Sequence, residues 1–106
     1  MAYKHIEIPE DGEQITITDS GDLNVPSNPI IPFIEGDGSG TDVTAAMIKV
    51  VDHAVNISYN GERKIAWMEV FCGEKSLSVY GENEWLPDET IDALEKYIVG
   101  IKAVSY

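Results

Sequence analysis

The stretch from residue 30 to residue 71 constrains the fold more than any other part of the sequence. It opens with a short apolar run, Ile30 to Ile34, and continues through a glycine-rich turn, Gly36–Gly40. Apolar residues then recur at three- and four-residue spacing, and a second bulky run covers Ile65 to Phe71. Short apolar runs are typical of buried strands, and the spacing between them is typical of one helix face. Two strands around one helix predict a parallel β-α-β unit.

The helix of this unit is predicted from its cap to its end. Thr41 or Asp42 is expected to cap it, and it is expected to end near Tyr59, before Asn60-Gly61. Its predicted buried face consists of seven apolar residues: Val43, Ala46, Met47, Val50, Val51, Ala54 and Val55.

The N-terminal part of the chain predicts a β-hairpin. Residues 14–18 alternate with period two and are rich in β-branched side chains, which indicates a strand. Residues 19–22 form a turn signal, and Leu23 to Val25 is expected to be the returning strand. Pro32 removes a backbone donor from the next strand, which predicts that this strand lies at an edge or that Pro32 stands at its start.

The C-terminal part predicts a helix and a third strand. Gly73 to Gly81 is expected to be a short helix or a loop. Pro87 fits the first position of the last helix, Gly100 is expected to end it, and residues 101–104 are expected to form a strand. The predicted apolar face of this helix consists of Ile91, Leu94, Tyr97 and Ile98, and Trp85 is expected to pack where the chain enters it.

These elements define the predicted fold class as α/β, with an N-terminal β-hairpin followed by a small, partial doubly wound β-α-β-α unit. A length of 106 residues fits one domain, residues 1–106. Within it, residues 1–29 form an acidic β-hairpin arm and residues 30–106 form the α/β unit.

The charge excludes several classes of function. Seven Lys and Arg oppose nineteen Asp and Glu, which gives a net charge of −12. Such a chain does not grip the phosphate backbone of a nucleic acid, which needs Lys and Arg, and anionic lipid repels it. We therefore expect neither direct nucleic-acid binding nor membrane binding. A single cysteine, Cys72, and the lack of an apolar N-terminal segment predict a cytoplasmic protein.

The glycine-rich turn is the one motif-like feature with chemical potential. Backbone N–H groups of such a turn can hold a phosphate, but Gly36–Gly40 matches neither G-x-G-x-x-G nor a P-loop. Asp37 also places a negative charge where the phosphate would lie, which favours a tight structural turn. His5 and His53 have no third ligand near them in sequence. The predictions are therefore no catalytic residue, no cofactor and no metal site.

Five segments together resemble the start of bacterial NADP-dependent isocitrate dehydrogenases, over about residues 14 to 102. They are Asn28 to Gly38, Gly61 to Glu69, Gly73 to Ser76, Val79 to Gly81, and Trp85 to Pro87. The resemblance implies the first segment of the large α/β domain of that enzyme. It also implies that the substrate, metal and catalytic residues of the family, and most of its NADP site, would lie beyond Tyr106.

Two departures from the family pattern affect the cofactor region. Lys102 matches the lysine that leads into the family's Thr-Thr substrate and cofactor loop, but the next residues here are Ala103 to Tyr106 instead of Gly-Pro-Leu-Thr-Thr. Ser39 stands where the family usually carries Ile. The resemblance therefore predicts a chain that is not an enzyme by itself.

The main functional hypothesis is a non-catalytic, acidic interaction or inhibitor protein that binds a basic surface on a protein partner. Its sharpest version is a nucleic-acid mimic of viral origin, such as an anti-CRISPR protein acting on a nucleic-acid-binding complex in the host cytoplasm. The candidate interaction residues are all acidic: Glu10, Asp11, Glu13, Asp19, Asp22, Glu82, Glu84, Asp88, Glu89, Asp92 and Glu95.

Two alternatives come from the resemblance. The chain is either an N-terminal fragment of an NADP-dependent isocitrate dehydrogenase, or a decoy that binds the host enzyme. Because a partial sheet exposes apolar residues, we also expect either a homodimer or coverage of the sheet by residues 14–25.

Overall fold

The computed structural model describes residues 3–105 as a mixed α/β protein. Residues 1, 2 and 106, which the predicted domain 1–106 includes, lie outside the described residues. In chain order the elements are β1 (Thr16–Ile17), β2 (Leu23–Asn24), β3 (Ile30–Ile34), α1 (Gly40–Ser58), β4 (Ala66–Val70), α2 (Glu74–Tyr80), α3 (Asp88–Lys96) and β5 (Ile101–Lys102).

Three parallel strands form the main sheet in the order β4-β3-β5. This confirms the predicted parallel β-α-β unit. Pro32 lies in the central strand, so the prediction that it marks an edge or a strand start is wrong. The reason is the length of β5, which pairs only with Phe33 and Ile34 and leaves Pro32 just before the paired stretch. Pro32 therefore does not need a backbone N–H group to pair with β5.

The two faces of the sheet are filled differently. Alternate residues of β3 and β4 are buried, and they form one core with Ala93 of α3 and with Tyr97, which follows α3 directly. Met68, at the centre of this face, is completely buried. The opposite face, with Phe33 and Trp67, is half-buried and lies on the side of α1. Helices on both faces agree with the predicted partial doubly wound arrangement.

Helix α1 begins one residue before the predicted cap and faces the sheet with a different side than predicted. Ser39 is its N-cap residue, without a side-chain capping bond. Val43 and Val50, expected to be buried, are 61% and 68% exposed. The residues that α1 turns toward the sheet are instead Thr44, Met47, Ile48, Val51 and Val55, all buried or half-buried. Two apolar stripes run along this helix, and only one of them meets the sheet.

The last helix, α3, also differs from the prediction. Its buried residues are Thr90 and Ala93, while Ile91 is 41% exposed. The helix ends at Lys96, before the predicted end at Gly100, and Pro87 is its N-cap residue and not its first residue. Trp85 is 49% exposed, so the expectation that it packs at the entry to the helix is wrong. The polar Thr90 replaces it as the anchor, as described below.

The N-terminal segment folds as an arm (residues 3–15) followed by the hairpin β1–β2. Ile6 and Ile15 of the arm are buried, whereas every residue from 16 to 25 is exposed. The prediction that residues 14–25 cover the sheet is therefore wrong beyond Ile15. The arm does the covering, because Tyr3 and Ile6 pack against the core.

None of the helices within residues 3–105 is both long enough and apolar enough to cross a lipid bilayer.

Candidate functional site at the carboxyl edge of the sheet

The carboxyl ends of the three parallel strands meet at one edge of the sheet. Ligands of parallel α/β sheets bind at this edge as a rule. Glu35 follows β3 directly, Phe71 follows β4, and Ala103 follows β5. This edge is therefore where a site is expected from topology alone, and it contains the glycine-rich turn.

The turn at this edge is packed against the chain that follows β5. Gly36 has a φ of +86°, and a Cβ atom there would lie 2.4 Å from the Val104 carbonyl oxygen. The Asp37 N–H donates to the same carbonyl over 2.8 Å. At Gly40, a Cβ would also come within 3.2 Å of Val104 O. The glycines thus allow close approach of the backbone of this chain itself, as the structural interpretation of the turn predicts.

Asp37 links the turn to α2. Its side chain is buried, with 5% exposed. The N–H of Glu74 donates to Asp37 Oδ2 over 3.0 Å, and the N–H of Lys75 donates to Oδ1 over 3.1 Å. A carboxylate at the first turn of a helix is stabilised by free N–H groups and by the helix dipole. Asp37 therefore occupies the donors that an anion would otherwise use.

Lys75 forms the second link across this edge. Its Nζ donates to Glu35 Oε1 over 2.9 Å and also to Glu69 Oε2. Burial alone would lower the pKa of the Lys75 ammonium, but the hydrogen bonds and charges of Glu69 and Glu35 outweigh burial and raise that pKa. The lysine is held protonated between two carboxylates, so within this segment it acts as a structural cation and not as a base.

The Gly36 side of the turn does not fit an NADP phosphate as it stands. The Val104 carbonyl fills the space beside Gly36, and the N–H groups of Glu74 and Lys75 at the start of α2 donate to Asp37. Nor do residues 3–105 bring together three or more His, Cys, Asp or Glu side chains in a way that would hold a metal ion. Lys102 is exposed at the same edge.

The eleven predicted interaction residues differ in the contacts that they make within the chain. Glu10, Asp19, Asp22, Glu82, Glu84, Asp88 and Glu95 are exposed, as is Glu13, whose backbone bridges to the start of β3 through Ile30 and Asn28. Asp22 accepts a hydrogen bond from the nearby Ser20 hydroxyl. The other three, Asp11, Glu89 and Asp92, have partners that are distant in sequence.

Two of these carboxylates, Glu89 and Asp92, hold the N-terminal arm in place, whereas Asp11 forms an exposed ion pair with Lys64. Glu89 accepts hydrogen bonds from the backbone N–H of Lys4, from that of His5 and from the Tyr80 hydroxyl. Burial would raise the Glu89 pKa, but the three donors outweigh burial and lower it. Asp92 accepts from the Tyr3 hydroxyl over 2.6 Å. Part of the acidic run of α3 therefore serves the fold.

Two of the residues that organise this part of the molecule, Thr90 and Lys75, were not predicted from the sequence. Thr90 is completely buried, and its Oγ1 donates to Phe71 O over 2.7 Å and accepts from Phe71 N–H. It thereby fixes α3 to the end of β4. Lys75 is the second residue that was not predicted. A signal for it exists, since Lys75 is the sole base between residues 65 and 95, surrounded by acids that need a cation.

The family model and the similar proteins indicate the same family. The family model described as isocitrate/isopropylmalate dehydrogenase matches residues 30–105. The chain is 57% identical over 102 residues to the NADP isocitrate dehydrogenase of Pseudomonas aeruginosa (strain UCBPP-PA14), covering 96% of this chain and 24% of that protein. The corresponding enzyme of Coxiella burnetii (strain RSA 493 / Nine Mile phase I) is 54% identical over 102 residues, with the same coverage of 96% and 24%.

A third relative, the NADP isocitrate dehydrogenase of Helicobacter pylori (strain J99 / ATCC 700824), is 54% identical over 111 residues, covering 96% of this chain and 26% of that protein. The chain thus spans about a quarter of the length of the curated relatives it matches.

Proposed function

Because the chain belongs to the isocitrate/isopropylmalate dehydrogenase family, we propose that it is an N-terminal fragment of an NADP isocitrate dehydrogenase. It contributes the first β-α-β part of the large domain and is not catalytic on its own. The observation that carries the proposal is that nearly all of the chain aligns with about a quarter of each relative.

The openness of the sheet supports this proposal. The two-residue strand β5 lies at one edge of the sheet, and Ile101 is 40% exposed. Val104, just after it, is 62% exposed. Exposed apolar residues along an edge strand are the sites at which further sheet or another chain packs. The remainder of a dehydrogenase would cover them.

The carboxyl edge supplies one wall of the complete site in this proposal. Lys102 is exposed there, beside the rigid links made by Asp37 and Lys75. We propose that Lys102 faces substrate or cofactor once the remainder is in place. The Asp37 and Lys75 links act as positioning groups that keep β3, β4 and α2 in register.

Complementation tests the proposal. The chain is co-expressed with a Pseudomonas aeruginosa isocitrate dehydrogenase that lacks the aligned N-terminal segment, and isocitrate-dependent reduction of NADP is followed by absorbance. We expect no activity from either piece alone and measurable activity from the pair. Turnover by the chain alone, or a stably bound pair without activity, would overturn the proposal.

Two lysine variants sharpen this experiment. Lys102→Met is expected to lower the activity of the reconstituted pair at least tenfold, while the two pieces still bind each other. Lys96→Met is the matched control, because it removes the same charge from an exposed position at the end of α3. Equal effects of the two variants would show that the loss comes from charge alone and would remove Lys102 from the proposed site.

The inhibitor hypothesis has less support than the fragment hypothesis. The matches lie in dehydrogenases, and two of the eleven acids, Glu89 and Asp92, are used to hold the arm. A basic protein partner is still testable: a pull-down from a bacterial lysate at low and at high salt should recover a nucleic-acid-binding protein only at low salt if the acidic surface has that role. Recovery of none would count against it.

A further inference from the structure

The turn that leaves α1 contains the one Asn-Gly pair of the sequence, Asn60-Gly61. Helix α1 ends at Ser58, and Tyr59 is its C-cap residue. Asn60 and Gly61 follow with φ angles of +53° and +77°, and both are exposed. The pair therefore forms a tight left-handed turn at the surface, between the end of α1 and the start of β4.

An asparagine that precedes a glycine can react with its own backbone. The backbone nitrogen of the glycine loses its proton and bonds to Cγ of the asparagine, and the side-chain nitrogen takes up a proton and leaves as ammonia. The product is a five-membered succinimide ring, and glycine permits its closure because it has no Cβ atom to crowd the approach. Water then opens the ring at one of its two carbonyls. Asparagine and water thus become ammonia and either aspartate or isoaspartate.

One hydrogen bond keeps the reacting nitrogen of Gly61 occupied in the folded chain. The Gly61 N–H donates to Asn56 O over 2.9 Å. While this bond is intact, the nitrogen keeps its proton and the N–H is directed at α1, so the attack on Cγ of Asn60 requires the bond to open. All residues from 56 to 64 are exposed, and exposed helix ends open at low free energy. The bond therefore slows the reaction without preventing it.

The other asparagines provide the comparison within the same chain. Asn83 is the closest match, because it is exposed and its φ of +67° lies in the same left-handed region. It differs from Asn60 in the next residue, Glu84, whose Cβ atom crowds the approach to Cγ. The remaining three are also followed by residues with a Cβ atom: Asn24 by Val25, Asn28 by Pro29 and Asn56 by Ile57.

We propose that Asn60-Gly61 is a modification site, at which the chain converts Asn60 to aspartate and isoaspartate, with water as the co-reactant, when the end of α1 opens. The product has one more negative charge beside a helix end whose last turn contains no basic residue, and this charge opposes the helix dipole. Isoaspartate also adds one carbon to the backbone, which is incompatible with the bond from Gly61 to Asn56. The modified chain therefore keeps the end of α1 open. This inference does not depend on the proposed function.

Peptide mapping by mass spectrometry tests the proposal. The purified chain is incubated in mildly alkaline buffer, and samples taken over several days are digested and analysed for the exchange of a side-chain NH2 for OH. Asn60 should be converted at least about tenfold faster than Asn83, with both aspartate and isoaspartate as products. Equal rates at Asn60 and Asn83, or the formation of aspartate alone, would overturn the proposal.

Two substitutions at Ser58, the exposed last residue of α1, test the role of helix opening. Alanine favours the helix and glycine disfavours it, so in the folded chain Ser58→Gly should be modified at Asn60 roughly fivefold faster than Ser58→Ala. In urea that unfolds both variants, the two rates should be equal, and the rate at Asn83 should be the same in both variants throughout. Equal rates at Asn60 in the folded variants would show that the end of α1 does not control the reaction.

Hydroxylamine gives an independent readout, because it attacks the succinimide ring and cleaves the chain between Asn60 and Gly61. The wild-type chain should yield two fragments of the expected masses. Asn60→Gln is the matched control, since its longer side chain would have to close a less favourable six-membered ring, and it should remain intact. Cleavage of Asn60→Gln at the wild-type rate would place the reaction elsewhere in the chain and overturn the proposal.

Discussion

Helices α1 and α3 flank the same three-stranded sheet, yet the sheet is sealed only on the side of α3. On that side Met68 and Ala93 are completely buried, and the arm adds Ile6 to the same core. On the side of α1, the corresponding residues Trp67 and Phe33 are only half-buried.

The difference lies in what locks each helix to the strands. Helix α3 is fixed by a buried hydroxyl, Thr90, which bonds both the N–H and the carbonyl of Phe71. Helix α1 is fixed by Thr44, whose hydroxyl donates to Glu35 O near its start, and by the Asp52–Trp67 bond near its middle. A sealed side provides stability, and an open side provides surface for a partner. Four predictions test this division.

The largest effect is expected from the centre of the sealed side. Met68→Ala should lower the free energy of unfolding by about 3–4 kcal/mol, because it removes a completely buried side chain and leaves a cavity. Met47→Ala, on the half-buried side of α1, is the matched truncation and should cost less than about 1.5 kcal/mol. Urea denaturation followed by tryptophan fluorescence measures both. Equal losses of unfolding free energy would show that the sheet is packed equally well on the sides of α3 and α1, which would contradict the difference described above.

The second effect concerns the turn that joins β3 to α1. Gly36→Ala should cost about 2–3 kcal/mol, because a side chain at positive φ is strained and its Cβ would also meet the Val104 carbonyl at 2.4 Å.

Gly21→Ala separates these two causes. Gly21 has a similar φ of +88°, with nothing within 4 Å of the added Cβ, so its substitution should cost only about 1 kcal/mol. Both costs come from urea midpoints under the same conditions. If the two variants were equally destabilised, the contact between the turn and residues 103–104 would contribute nothing to stability.

The third effect is a pH dependence of the arm that seals the side of α3. Glu89→Gln should cost about 1 kcal/mol at pH 7, because a carboxylate accepts the N–H groups of Lys4 and His5 more strongly than an amide does. The pKa of Glu89 is lowered in the folded chain, so its contribution is present above the unfolded pKa and is lost as the pH falls through the folded one.

The difference in unfolding free energy between wild type and Glu89→Gln should therefore shrink as the pH falls below the ordinary pKa of a glutamate carboxyl, about 4.3. Glu95→Gln, on an exposed position of the same helix, is the charge-matched control and should leave stability unchanged at pH 7. A difference between wild type and Glu89→Gln that stays constant down to about pH 3 would remove Glu89 as an anchor of the arm.

The strands and the parallel topology were predictable from the sequence, because the apolar runs Ile30 to Ile34 and Ile65 to Phe71 must be buried and a helix separates them. The buried side of α1 was not predictable. Its apolar residues form two stripes that both satisfy helical spacing, and tertiary hydrogen bonds, from Thr44 to Glu35 and from Trp67 to Asp52, decide between them.

The candidate site was predictable in part for a similar reason. The glycine spacing indicated a tight turn, and the structure confirms one, but its partner at Val104 is distant in sequence. Lys75 and Thr90 carry no motif, because a structural cation or hydroxyl is recognised only when its acceptors are known. The resemblance to isocitrate dehydrogenases gave the family, and the family match now confirms it.

The smallest effect is expected where the arm meets the start of β4. Asp11 forms an ion pair with Lys64, and the hydrogen bond and charge of Lys64 lower the Asp11 pKa. Both side chains are more than 60% exposed, so solvent and salt screen the pair. Asp11→Asn should leave the urea midpoint unchanged at about 0.15 M salt.

The neighbouring Gly12→Ala is the positive control, because its Cβ would lie 2.5 Å from Ile30 Cγ1 and 2.6 Å from Ala66 Cβ. It should lower the midpoint by displacing the arm from the sealed side. A loss with Asp11→Asn that disappears at high salt would instead assign the closure of that side to charge. The acidic surface would then contribute to the stability of the packed core.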